Sequence, residues 1–343
     1  ARAFVALGAG PADAIKWSLA LATLAGGLAL HGWLRGRWGR PAALLAAATY
    51  TFLPYRLAIT YVAGGLGETW ALGLYPLAGW AVWAFSERRT AARGALAFLA
   101  LAALALCNLG LAAWFALIAG VALMAAGRKA ISLLPLLSAL PLLVWGILSP
   151  AAGDFGAHHP HLFQLFSASW ETQPSGPGWR NEMPFQLGVF PLGMAGLALA
   201  LASRRETPIG RRPLAILAAG AALCALLSLQ VSGPFWTLTR LDRLLSYPWQ
   251  MLGFTSLGLA LLAGAAVRQA KPLAALPWLA GLIALALVAI YGYLSPAWTE
   301  LPPGERPAAL YGEDQVALLD YRFTGRLYPG AEVQLDVNWQ CLG

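Results

Sequence analysis

PYRLAITYVAGGLGETWALGLYP, residues 54–76, decides how the chain is read. It joins one apolar run to the next through Ala63-Gly64-Gly65 and places two opposite charges, Arg56 and Glu68, at that corner. Runs rich in Ala, Leu and Gly flank it on both sides. Ionisable groups in such a place are either interfacial anchors and an exposed ion pair, common where spans end, or groups kept for a function.

Outward from this corner, apolar runs at 13–33, 41–58, 67–86, 94–107, 109–127, 131–149, 186–203, 213–230, 248–267 and 272–294 make ten candidate spans. Most approach the roughly 20 residues that a helix needs to cross a bilayer. The short run 94–107 ends in Cys107-Asn108-Leu109-Gly110, so 94–127 reads as a hairpin, and Asn108 either contacts substrate or caps the following helix. With 59% hydrophobic and 11% charged residues over 343 positions, the chain is too apolar for a soluble domain. The expected fold is an all-α polytopic membrane bundle of about ten transmembrane helices over 1–294, with outer loops at 150–185 and 231–247. The start of an extracytoplasmic β-sandwich follows in 295–343.

The net charge of +8 would suggest nucleic acid in a soluble protein, but the basic residues cluster between apolar runs and read as a topology signal, with no nucleic-acid partner. Fourteen of the twenty-three, among them Arg35, Arg37, Arg88, Arg128, Lys129, Arg212 and Arg268, fall in one set of alternate loops. By the positive-inside rule those loops are cytoplasmic, which puts the long connections and most acidic residues outside. The span interiors hold almost no ionisable group, which argues against an ion-coupled transporter. Cys107, Cys224 and Cys341 are scattered and set no disulfide framework.

The tail has another character. VALLDYRF (316–323) and EVQLDVNWQ (332–340) alternate apolar and polar residues and read as two strands joined through Tyr328-Pro329-Gly330. Val333, Leu335, Val337 and Trp339 would face one way, toward a core that two strands cannot supply. A start at Ala1 and a stop at Gly343 directly after a strand read as a fragment with material missing at both ends.

Two outer loops carry candidate chemistry. In 150–185, His158, His159 and His161 lie within four residues, with Asp154 before them and Glu171, Arg180 and Glu182 after. Three imidazoles could hold a divalent metal with a carboxylate, although Pro160 keeps them off one helical face; a solvated loop is the alternative. Trp170 and Trp179 fit interfacial anchoring or a sugar-stacking surface. In 231–247, Phe235, Leu238, Leu241 and Leu244 recur at helical spacing with Arg240, Asp242 and Arg243 elsewhere, as in a helix lying on the membrane surface. Its arginines either grip a lipid phosphate or snorkel.

Taken in order, PYRLAITYVAGGLGETWALGLYPLAGW (54–80), LALCNLGLAAWF (104–115), NEMPFQLGVFPLG (181–193) and FWTLTRLDRLLSYPWQMLGFTSLGLALLAG (235–264) resemble a bacterial family known as the 6-pyruvoyl-tetrahydropterin-synthase-related membrane domain. That family is similar to the GT-C integral-membrane glycosyltransferases. The resemblance implies sugar transfer from a polyprenyl-phosphate-linked donor at the extracytoplasmic face, within the lipid bilayer of the cell membrane. A non-catalytic lipid- or glycan-binding protein, flippase or assembly factor is the alternative. The resemblance implies substrate-binding roles for Tyr55, Arg56, Glu68, Asn108, Arg240, Arg243, Trp249 and Gln250, with Glu68 orienting Arg56 or a substrate hydroxyl. The family's acidic catalytic residue is expected before Ala1; Asp13 does not take its place. Cys107 and Gln250 depart from the family's His and Arg.

Overall fold

A computed structural model describes residues 2–148, 154–167, 175–178, 181, 183–203, 208–293, 309–311, 316–324 and 334–341. Two compact units divide the chain, residues 21–294 and residues 1–20 with 295–343.

The α-helices in chain order are α1 (Arg2–Ala6), α2 (Pro11–Trp38), α3 (Arg40–Thr51), α4 (Pro54–Tyr61), α5 (Leu66–Glu87), α6 (Ala91–Cys107), α7 (Leu109–Ala125), α8 (Leu140–Leu148), α9 (Val189–Ala202), α10 (Arg211–Ser228), α11 (Gly233–Thr239), α12 (Leu252–Gln269) and α13 (Leu276–Val288). Short 3-10 turns link them, of which Leu241–Leu244 and Pro248–Met251 matter below.

The expectation of about ten transmembrane helices is corrected. Among the described residues, three helical stretches are long and apolar enough to cross a membrane: Asp13–Trp38, Arg211–Ser228 and Pro248–Gln269. The pair α3 and α4, bent by 42°, makes a fourth if it is one span. The physical reason is that hydropathy does not see where a helix breaks. Pro54 starts α4 afresh inside the run 41–58. Several other runs form helices too short to qualify: α6 and α7, divided at extended Asn108, have 17 residues each, α9 has 14 and α13 has 13. Gly39 at φ 87°, a conformation that suits glycine, separates α2 from α3 where the two runs part. The apolar run 131–149 begins as a 3-10 helix around Pro135. Helix α5 spans 22 residues but is not among these stretches.

At the centre of this unit stands α12, packed by α3, α9 and α10. The stretch that contains it is 89% buried, so other parts of the protein enclose it. Small residues allow the approach: a Cβ on Gly264 would lie 2.8 Å from the carbonyl oxygen of Ala42 in α3. Tyr75 of α5 stacks on Phe254 at 4.7 Å and on Phe115 at 5.5 Å, which ties α5, α7 and α12 together. Gly110 lies against the Leu244 carbonyl so closely that a Cβ would meet its oxygen at 1.5 Å, and this contact pins the turn Leu241–Leu244 to the start of α7.

The second unit contains α1, the opening turns of α2 and a three-stranded antiparallel sheet, ordered β1 (Ala309–Tyr311), β2 (Val316–Thr324) and β3 (Gln334–Cys341). Leu318 pairs with Trp339 and Tyr321 with Val337, and an irregularity between Leu318 and Asp320 shifts the register. The expected β-sandwich is corrected as well: among the described residues there is one sheet and no second layer. The Tyr328-Pro329-Gly330 connection lies outside the described residues.

Gly110→Ala should disorder the Leu241–Leu244 turn and destabilise the protein by more than about 1–3 kcal/mol, because the obstacle is backbone and cannot rotate away. Thermal unfolding in detergent measures this, with Gly193→Ala, whose Cβ would meet open space, as the control.

Candidate functional site

The corner singled out in the sequence forms where α3, α4 and α5 meet the segment Ser246–Met251. Helix α3 stops at Thr51, which leaves its last carbonyls without intrahelical donors. Arg56 answers one of them. Its Nη1 donates to the Tyr50 carbonyl at 3.2 Å, its guanidinium lies 4.1 Å over the Tyr50 ring, and it is 2% exposed. A cation at a helix C-terminus is favoured by the dipole, and desolvation strengthens the contact with the ring. Gly26 of α2 permits the fit, since a Cβ there would stand 3.3 Å from both terminal nitrogens. The Tyr50 hydroxyl in turn donates to the Leu72 carbonyl at 2.6 Å.

Glu68 occupies the first turn of α5, where a carboxylate suits the positive end of the helix. It does not orient Arg56: Gln250 Nε2 donates to Glu68 Oε1. Gln250 Oε1 accepts from the backbone N–H groups of Ser246 at 3.0 Å and Tyr247 at 3.2 Å, so its amide joins two segments. Tyr55 donates to the Trp249 carbonyl at 3.1 Å. Asn108 resolves its two readings as a cap, accepting from Leu111 N at 2.9 Å.

Ser175 is a hub that the sequence does not announce. Its Oγ accepts from Trp249 Nε1 at 3.1 Å and from Asn181 Nδ2 at 3.0 Å. Both lone pairs are then used, and its proton goes to His158 Nδ1 at 3.0 Å, which assigns that imidazole as neutral. Tyr247 stacks on Trp249 at 4.9 Å and meets the His158 ring edge-on at 4.9 Å.

The proposed metal site at His158, His159 and His161 is corrected. His159 Nδ1 donates instead to the Ser228 carbonyl at the end of α10, 2.8 Å away. The His161 side chain caps the 3-10 helix Leu162–Leu165 and lies flat against Phe163. Three imidazoles thus serve three partners, and among the described residues no group of three metal-ligating side chains forms. Glu171, Arg180, Glu182, Trp170 and Trp179 lie outside the described residues.

The expected surface helix in 231–247 is interrupted. Helix α11 ends at Arg240, which adopts φ 57° and starts the turn Leu241–Leu244. Arg240 is exposed and Arg243 half-buried, while Arg56 is enclosed. Arg56 is therefore not placed to hold a ligand phosphate together with either of them.

Burial holds the His158 and His159 imidazoles below their ordinary range, against the pull of Asp154 at His158 and of the Ser228 carbonyl at His159. Below about pH 6.5 the unfolded chain then binds more protons than the folded one. The stability these groups contribute is complete above that value and is lost as the pH falls toward the lower folded pKa values. The melting temperature in detergent should drop between about pH 7 and pH 5. Replacing both histidines by Asn should flatten that drop; an equally steep drop in the double variant would put the acid sensitivity elsewhere. Gln250→Ala should cost about 1–3 kcal/mol, since it strands an oxygen of Glu68 and two backbone donors; denaturant titration reads the loss.

Comparison with family models, curated proteins and solved structures finds no match.

Proposed function

We propose that the chain is part of a membrane protein that binds a polyprenyl-phosphate-linked sugar at the end of the helical unit where α5 begins. The observation that carries this reading is a polar and aromatic cluster in an otherwise apolar unit: Glu68 held by Gln250, and half-exposed Tyr247 stacked on Trp249 beside Ser175 and His158. An aromatic face next to hydrogen-bonding groups suits a sugar ring. Exposed Arg240, on the segment leading into Tyr247, supplies a guanidinium suited to phosphate.

The membrane setting is supported by the three long apolar helices and by the outward-facing side chains. Leu28, Leu106 and Leu276 are 71%, 90% and 78% exposed, more apolar surface than water tolerates comfortably. By the positive-inside rule, the basic loops favour a cytoplasmic setting for their own ends and an outer one for the Glu68 end.

Binding is favoured over transfer because the groups that could do chemistry are already engaged. Arg56 caps α3, Asn108 caps α7 and Gln250 latches Glu68 to the Ser246–Tyr247 backbone. Glycosyl transfer is the second reading, and partial exposure of Glu68 favours it: Gln250 holds one carboxylate oxygen and leaves the other to take a proton from an acceptor hydroxyl.

Photo-crosslinking and transfer assays on the full-length protein in membranes, with a radiolabelled polyprenyl-phosphate sugar, separate these readings. Binding weakened several-fold in Arg240→Gln, without transfer by the wild type, is the expected result. Glu68→Gln keeps an acceptor for Gln250. If it binds normally but transfers about 10²-fold more slowly than an active wild type, the transfer reading is correct. No crosslinking to the wild type overturns both.

A further inference from the structure

At the other end of the helices, a partly open cavity of about 740 Å³ lies among α2, α5, α7, α10 and α12. Its position follows from which halves of the helices line it. Trp83 comes from the last turns of α5, Phe115 and Leu123 from the body of α7 toward Arg128, and Leu217 from the first half of α10 after Arg212. These are the ends that carry the basic loops. The walls are almost wholly apolar, and the charged groups in the lining are Arg128 and Arg212. Arg128 lies 4.7 Å over the Trp83 ring, which fixes a guanidinium at one edge of an apolar chamber. Arg212 is exposed at the start of α10.

The volume lies inside the range of roughly 300–1,000 Å³ typical of small-molecule sites. An apolar interior with cations only at the rim complements a ligand with a hydrocarbon body and an anionic head. Basic pockets between membrane helices on the cytoplasmic side bind acidic lipid headgroups in this way. A neutral apolar ligand would leave the two arginines without a role. A soluble anion would leave the chamber unfilled.

We infer that this cavity is a binding site for an anionic phospholipid of the cytoplasmic leaflet, with an acyl chain among Phe115, Leu217 and Gly220 and the phosphate between Arg128 and Arg212. The inference rests on the membrane reading above and is independent of whether the other end binds or transfers a sugar. Gly220 offers a direct probe, because it lines the cavity and a Cβ built on it meets open space. Gly220→Phe introduces a ring at the chamber wall from a Cβ that clears its neighbours.

The test is native mass spectrometry of the protein released from detergent after incubation with phosphatidylglycerol or with phosphatidylcholine of the same acyl chains. Alkaline carbonate extraction of membranes and thermal unfolding accompany it. The wild type should retain one phosphatidylglycerol with a preference of about tenfold or more over phosphatidylcholine. Arg128→Gln with Arg212→Gln should abolish the preference, and Gly220→Phe should abolish retention while the melting temperature stays near that of the wild type. Equal retention of both lipids by the wild type, or a preference that survives the arginine substitutions, overturns the assignment even if Gly220→Phe does not fold. Release by alkaline carbonate removes the membrane reading and this inference with it. A protein that stays in the membrane yet retains no phosphatidylglycerol overturns this inference alone.

Discussion

A guanidinium enclosed by protein and aimed at the end of a helix is the contact on which the Glu68 end of the helical unit depends. Helix α3 ends at Thr51, directly after fully buried Tyr50, whose carbonyl has no donor within the helix. Leaving such an acceptor unpaired costs about 1–3 kcal/mol. Arg56 supplies the donor and Tyr50 supplies the ring that tolerates its charge. Tyr50 then ties to α5 through the Leu72 carbonyl, so one side chain and its partner fix the mutual placement of α3, α4 and α5. Gly26 in α2 is shaped to the same group.

From that anchor the polar groups of this end form a chain of latches rather than an open set of ligands. Glu68 joins Gln250, Gln250 holds Ser246 and Tyr247, Tyr55 holds Trp249, and Trp249 reaches Ser175 with His158 and Asn181. Each link satisfies a donor or acceptor that would otherwise be stranded among apolar side chains. What remains to meet a ligand is the edge of this network, namely the outer part of Glu68, the face of Tyr247 and exposed Arg240. The opposite end is built differently: an apolar chamber has Arg128 and Arg212 at its rim, and a shorter latch runs from Arg37 through Glu87 to Trp83.

Much of this was legible in the residues, and the failures have physical causes. Arg56 and Glu68 stand out because charge is rare in such runs. Their partners are less legible: Tyr50 looks like an ordinary core residue, and Gln250, which the resemblance gives to substrate, binds Glu68. Pairing Arg56 with Glu68 was natural from spacing alone, yet the α3 carbonyl end and Gln250 are the nearer claims on each. Asn108 declared itself as a cap, because a lone amide at the break between two apolar runs has a helix start to satisfy. The count of spans failed because hydropathy averages across breaks such as Pro54 and Pro135, and because several of the apolar helices are shorter than a span. Three histidines in four residues suggested a metal, but proximity in sequence says nothing about direction. Their acceptors, Ser175 and the Ser228 carbonyl, come from distant parts of the chain.

The most direct test of the account is a double-mutant cycle on Arg56→Met and Tyr50→Leu, with unfolding free energy and polyprenyl-phosphate affinity measured on each folded variant. If Arg56 is an internal cap, the two substitutions should couple by about 1–2 kcal/mol, and the lipid affinity of Arg56→Met should match that of the wild type. Additive stability effects together with a large loss of lipid affinity in Arg56→Met would contradict it, and would return that guanidinium to the binding site.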